Sequence, residues 1–262
     1  VVAVGLDPTD FGGRDLIGEL EAAYDADTGS YGGSIFDQAL VMLALANADR
    51  DVPQGAVDHL LDYQTEDGAW SFTGDTAENT GDTNTTALVI QALAAAGHEA
   101  EAEPALDYLR GVQNEDGGWP YQNPSDFGTE TDANSTALVL EAIEAMGQTA
   151  AEWQMGEADP LSALLALQND SGSFSFQASF PGDNALATIQ AIPAVAGITL
   201  ADLPTVKTSA DPEMATAPPP TTIPEAGGSR VLPVGGVAAM IAGLLLVVVG
   251  YRLALTRRQV FR

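Results

Sequence analysis

Cysteine is absent from all 262 residues. That absence removes disulfides, thiolate metal sites, cysteine nucleophiles and thioester chemistry together. Cations are scarce as well, with 9 Lys and Arg against 37 Asp and Glu, and Lys207 is the only lysine. The scarcity is uneven. Residues 1–200 carry Arg14, Arg50 and Arg110 against 33 acids, a net −30, whereas residues 201–262 carry 6 cations and 4 acids, a net +2. A field of that sign repels phosphate backbones, so no nucleic acid is expected as a partner. Acidity of this kind also keeps a protein hydrated in high salt, which makes it a poor pointer to a cationic partner. The two histidines, His59 and His98, fall on an outer helix and just past a helix end. Both read as surface or helix-end residues rather than as a base or ligand, and no Ser-His-Asp spacing is present.

Long apolar runs are missing too, with one exception. Residues 231–251, VLPVGGVAAMIAGLLLVVVGY, contain no charge over 21 positions. A helix of about 20 apolar residues crosses a bilayer core of about 30 Å. Arg230 bounds the run on one side, and Arg252, Arg257, Arg258 and Arg262 bound it on the other. That asymmetry predicts a single-pass plasma-membrane protein with its N-terminal domain extracellular and the basic tail, 252–262, cytoplasmic. Residues 201–230 hold six prolines with many Thr, Ala and Ser, and read as an extended stalk. Leu232-Pro-Val-Gly-Gly236 is similar to a sortase substrate, but lacks the Thr-Gly that cleavage needs. The chain opens on VVAVGLDP, without Met and without a cleavable signal, and this opening reads as the tail of a helix. A signal peptide and a first part are therefore expected upstream.

Within 1–200 the chain repeats itself with a period near 50. Gln64-Thr-Glu-Asp67-Gly68-Ala-Trp70, Gln113-Asn-Glu-Asp116-Gly117-Gly-Trp119 and Gln168-Asn-Asp-Ser-Gly172-Ser-Phe174 are copies of one loop, and Asp25–Tyr31 is a degenerate fourth. Each loop leads to a second shared segment, beginning at Asp82, Asp132 and Asp183, with a counterpart at Phe36–Leu45. Gly97, Gly147 and Gly197 close three of these segments at a spacing of 50, and Gly5 fits the same role. Each unit reads as helix, loop, helix. Leu60, Leu61 and Tyr63, or Leu106, Leu109 and Val112, stripe the first helix, while the second is apolar nearly throughout and should be enclosed. Asp82, Asn84, Asp132, Asn134 and Asn184 sit where N-caps belong, and the glycines where left-handed C-caps belong. Almost no sheet is expected. The loop reads as a structural staple: the Gly makes the turn, the aromatic folds back between helices, and the Gln bonds free backbone groups at a helix end.

These Q-x-x-D-G-x-W segments resemble the QW motifs of the prenyltransferase and squalene-oxidase repeat family, which includes squalene–hopene cyclases. The Asp82-Thr-Asn-Thr-Thr-Ala-Leu-Val-Ile-Gln-Ala-Leu93 segment is similar to one shared with the cobalamin-binding transcobalamin and intrinsic-factor proteins. The resemblance covers residues 1–200 and implies an all-α chain built as an α/α toroid of inner and outer helices. Four hairpins are visible, at about 14–49, 54–97, 102–147 and 158–197, so a partial, open arc with exposed helix faces is expected. The family's chemistry does not transfer. The D-x-D-D acid of the cyclases is absent; its nearest string, Asp25-Ala-Asp27-Thr28, lacks the last acid. The Asp, Cys and His zinc set of protein prenyltransferases is absent as well. A pectate-lyase-like string, Gly117-Gly118-Trp119-Pro120, lacks the basic cluster that enzyme class needs.

No catalytic residue, metal site or cofactor is therefore assigned. Asp82, Asn84, Asp132, Asn134, Asp183 and Asn184 should gather at one rim of the barrel, beside loops 71–81 and 120–131 with Asp75, Glu78, Asp126 and Glu130. Such oxygen donors suit a polar ligand or Ca²⁺, although no twelve-residue Ca²⁺ loop is present; simple helix capping uses the same residues. The reading is a surface-anchored toroid that binds an unknown small molecule or extracellular protein without catalysis. One alternative is a diverged cyclase-like enzyme whose acid motif lies upstream. Another is a cobalamin-binding protein, although the stalk stands where such carriers add a small β domain.

Overall fold

The computed structural model describes residues 1–2, 5–126 and 128–203. The predicted membrane span 231–251, the basic tail and all of the stalk but its first three residues lie outside the described residues. The helices below belong to one compact unit, Leu6–Pro204. Among the described residues there are eight α-helices and only isolated bridges between extended residues, so this part of the chain is all-α. No helix there is long and apolar enough to cross a membrane.

The helices come in pairs: α1 (Leu16–Ala22) with α2 (Ile35–Ala46), α3 (Gln54–Asp62) with α4 (Thr83–Ala95), α5 (Glu99–Val112) with α6 (Ala133–Ala145), and α7 (Pro160–Leu165) with α8 (Ala185–Ala196). The helices fall within the spans 14–49, 54–97, 102–147 and 158–197, with one shift. α5 starts at Glu99, directly after the turn that closes α4, and keeps Pro104 inside it. The second helices pack side by side in chain order, α2 on α4, α4 on α6 and α6 on α8. α1 lies against α2, but each later first helix lies against the second helix of the preceding pair: α3 on α2, α5 on α4 and α7 on α6. α7 is short and shares its place with a 3-10 turn, Ala150–Trp153, whose Trp153 is buried.

Sequence chemistry explains both ends of α2, α4, α6 and α8. Ser34, Asp82, Asp132 and Asn184 each accept a backbone N–H three residues on, which satisfies a donor the helix cannot reach. Asn84 and Asn134 are not caps; they are the second residues of α4 and α6, two positions past the caps. At the other end His98 N bonds Leu93 O, Gln148 N bonds Ile143 O and Ile198 N bonds Pro193 O, with Gly97, Gly147 and Gly197 at φ of 79°, 68° and 63°. These are Schellman closures, and they need a residue tolerant of left-handed backbone. In α2 the same closure forms around Asp49, at φ 55°.

Burial follows position in the row. Every residue of α6 from Ala133 to Ile143 is buried, and α4 is nearly the same. α8 buries only Ala187 and Ala191, and Ile192 is 58% exposed. On the first helices Leu60, Leu106, Leu109 and Val112 are buried as expected, whereas Tyr63 lies past the end of α3 and is exposed. After α8 the chain turns back under the row. Leu200 N bonds Gln91 Oε1 at 2.9 Å, and Asn47 at the end of α2 bonds Leu200 O at 2.6 Å and Leu203 N at 3.2 Å. Residues 201–203, expected as the start of the stalk, thus belong to the folded unit.

Candidate functional site

The three loop copies share one set of hydrogen bonds. Gln64, Gln113 and Gln168 donate from Nε2 to the carbonyls of Gly68, Gly117 and Gly172, at 2.9, 2.8 and 2.9 Å. Those glycines have φ of 86°, 90° and 87°, so each loop turns where only glycine is unstrained. The indole N–H of Trp70 bonds Leu60 O at 2.6 Å, and that of Trp119 bonds Leu109 O at 2.8 Å, with both rings buried. The backbone N–H of each aromatic is taken by Thr86, Thr136 or Thr188 Oγ1, four residues past the cap. In the degenerate first unit Gln38 Oε1 takes the N–H of Tyr31 from the same position. Asp67 accepts from the Thr65 hydroxyl, and Asp116 accepts from Gly118 N and the Thr131 hydroxyl. Polar groups of the motif are thus spent inside the scaffold.

Three of the four loop glycines also seat the start or body of the next first helix. A Cβ at Gly29 would lie 2.0 Å from Gly55 O, at Gly68 2.6 Å from Pro104 O, and at Gly117 3.0 Å from the carbonyl carbon of Asp159. Gly172 has nothing within 4 Å. The close approach is a property of three interfaces, and the fourth is open among the described residues.

The six residues expected at the rim are placed together only in part. The N-terminal ends of α4 and α6 do join the loops that follow, through Thr83 N to Tyr121 O and Ala133 N to Phe176 O. Asp82 and Asp132 are buried, and their oxygens are occupied: Asp82 by Thr85 N and Phe72 N, Asp132 by Ser135 N and its hydroxyl. Burial pushes both carboxyls up to about 6, against the opposing pull of those hydrogen bonds. Asn184 caps α8 through Oδ1. Asn134 donates to Gln190 Oε1, and the Asn84 Oδ1 is buried without a partner among the described residues. Asp183 does not cap; it is exposed and accepts from Asn169 and Ser171, and hydrogen bonding from Ser173 first, then Ser171 and Asn169, holds its carboxyl below the usual range. Of the loop acids, Glu130 accepts from Ser179 N and its hydroxyl. His59 bonds Thr28 O in the first loop, and His98 pairs with Glu101 at the start of α5. Among the described residues no three His, Cys, Asp or Glu converge as a metal site.

The opposite end of the row holds what the sequence reading passed over. Gln91 and Glu141 occupy the same register in α4 and α6, nine residues past each cap. Both are buried; Gln91 Nε2 and Glu141 Oε2 have no hydrogen-bond partner among the described residues. Burial alone pushes the Glu141 carboxyl up to about 8. A signal for them was present: each is the lone polar side chain of an otherwise apolar stretch, ALVIQALAA and ALVLEAI. A cavity of about 170 Å³ is lined by Glu141 with Leu140, Leu161, Ala194, Val195 and Ile198 among its walls. A shallower depression of about 500 Å³ adjoins it through the shared Glu144, Gly197 and Ile198, and adds Asp202. No family model matches the chain, and no curated protein matches it.

Proposed function

We propose that the chain is a surface-anchored helical-repeat protein of the QW type, an open arc of an α/α toroid, whose task is binding rather than catalysis. The observation that carries this reading is the recurrence of one hydrogen-bond set, Gln to Gly, aromatic N–H to the residue four past the cap, and Asp or Asn to the helix start, in successive hairpins. Polar side chains used in that way hold a scaffold; a catalytic group needs a free atom facing a substrate. The rim available to a small molecule or extracellular protein is made of the loops with Asp75, Glu78 and Asp126, since Asp82, Asp132 and Asn184 are consumed as caps. The apolar run 231–251 supplies the membrane anchor.

Two measurements test this. Protease added to intact cells should release the acidic domain while leaving a short C-terminal piece with the membrane; a domain protected from outside would overturn the topology. Mass spectrometry of small molecules retained by the complete protein should find neither a cyclised isoprenoid nor a corrinoid. Recovery of the first would make it an enzyme of the cyclase type, and of the second a cobalamin carrier.

A further inference from the structure

Glu141 is 2% exposed, yet its Oε2 meets no donor among the described residues. A buried carboxyl left in this state is costly, and the cost disappears when a donor arrives. The cavity it lines is comparable to the ~150 Å³ that holds a benzene ring in a dry core. Its remaining walls are chiefly apolar, and no Lys, Arg or His lines it or the adjoining depression. α6 and α8 end at Ala145 and Ala196, next in the chain to the wall residues Glu144 and Gly197, so the negative ends of two helix dipoles add to the charge of Glu144. Anions are thereby disfavoured. A hard metal ion needs several converging oxygens, which these walls do not supply.

We propose that this cavity binds a small organic ammonium ion, its head taken by the Glu141 carboxylate and its short apolar body lying against Leu140, Leu161, Ala194 and Ile198. The site lies at the opposite end of the inner helices from the rim, and stands whether or not the rim binds anything. Glu144 and Asp202 at the mouth add attraction for the incoming cation. At neutral pH the empty site holds the Glu141 proton, because burial pushes that carboxyl up to about 8. Pairing with an ammonium favours the carboxylate, so binding releases that proton to the buffer.

The test is calorimetric titration of the complete chain, in detergent, with benzylammonium chloride, and with benzyl alcohol as its neutral counterpart. The ammonium should bind, with a heat that changes with the buffer's ionisation enthalpy. Glu141→Gln, which keeps the shape of the side chain, should weaken binding by about tenfold or more, and the alcohol should be weaker by a similar factor. Ala194→Leu, which fills the cavity and leaves the carboxyl in place, should abolish binding. Absence of ammonium binding, equal affinity of Glu141→Gln, equal affinity for the alcohol, or binding unaffected by Ala194→Leu would each overturn the proposal.

Discussion

α8 is the more apolar of the two and both helices start from a side-chain cap, yet α6 is enclosed from Ala133 to Ile143 and α8 buries two alanines. The register makes the comparison sharp. Ile90, Leu140 and Ile192 all stand eight residues past their caps, and their exposures are 0%, 7% and 58%. Sequence chemistry is nearly constant along the row; what changes is whether a neighbour stands on both sides. α8 has α6 on one side and, among the described residues, no further helix of the row on the other. Gly172 repeats the lesson, since its equivalents touch the next outer helix and it touches nothing.

The largest expected effect comes from truncating that register. Ile90→Ala and Leu140→Ala should each cost about 2–5 kcal/mol in denaturant unfolding, and Ile192→Ala within about 0.5 kcal/mol. Equal costs would mean that α8 is covered in solution, and would break the comparison. Next is the polar pair at the opposite end. Glu141 has an ordinary value of 4.5 in the unfolded chain and is pushed up to about 8 by burial in the fold. The folded state therefore binds the proton more tightly. Its contribution is fully present below about 4.5 and is lost as pH rises through about 8. Glu141→Gln, which converts the site to the Gln91 type, should remove about 2–4 kcal/mol of that decline. Melting curves of the two proteins across this range check the sign, and parallel pH profiles would refute it. Asp82 and Asp132 titrate in both proteins and cancel in the difference.

Smaller effects separate the closed interfaces from the open one. Gly172→Ala should cost about 1–2 kcal/mol, the strain of left-handed backbone alone. Gly68→Ala should add about 1–3 kcal/mol from its collision with Pro104 O. Equal losses would show that Gly172 also seats a helix. Last, Thr136→Val strands the buried N–H of Trp119 and should cost about 1–3 kcal/mol, whereas Thr188→Val leaves the partly buried N–H of Phe174 nearer to water and should cost less. Amide exchange at Trp119 and Phe174 reads the same contrast directly.

Much of this fold was legible because it is written in local chemistry. The repeated apolar segments fall on α4, α6 and α8, and Gly97, Gly147 and Gly197 marked the closures at which φ is positive. The rim was harder to read. Asp82 and Asp183 look alike as letters before an apolar run, but α8 begins one residue later, so Asn184 became the cap and Asp183 was left exposed. Pattern alone could not separate a capping carboxylate from a ligand-facing one, because both need an acid at a helix start. The Glu141 cavity was missed for a related reason. One acid in an apolar helix says that a charge is out of place, and says nothing of whether a partner waits for it.

The sequence by itself determined the helix-loop-helix units, their caps, the glycine turns and the sharp charge divide near residue 200, because each depends on residues close in the chain. Only the tertiary structure decided which apolar faces are enclosed, which carboxylates are consumed as caps, and that residues 198–203 fold back to Gln91 and Asn47. Those outcomes depend on groups as far apart as Asn47 and Leu203, and burial and hydrogen-bond partners at that distance are properties of packing, which local pattern does not encode.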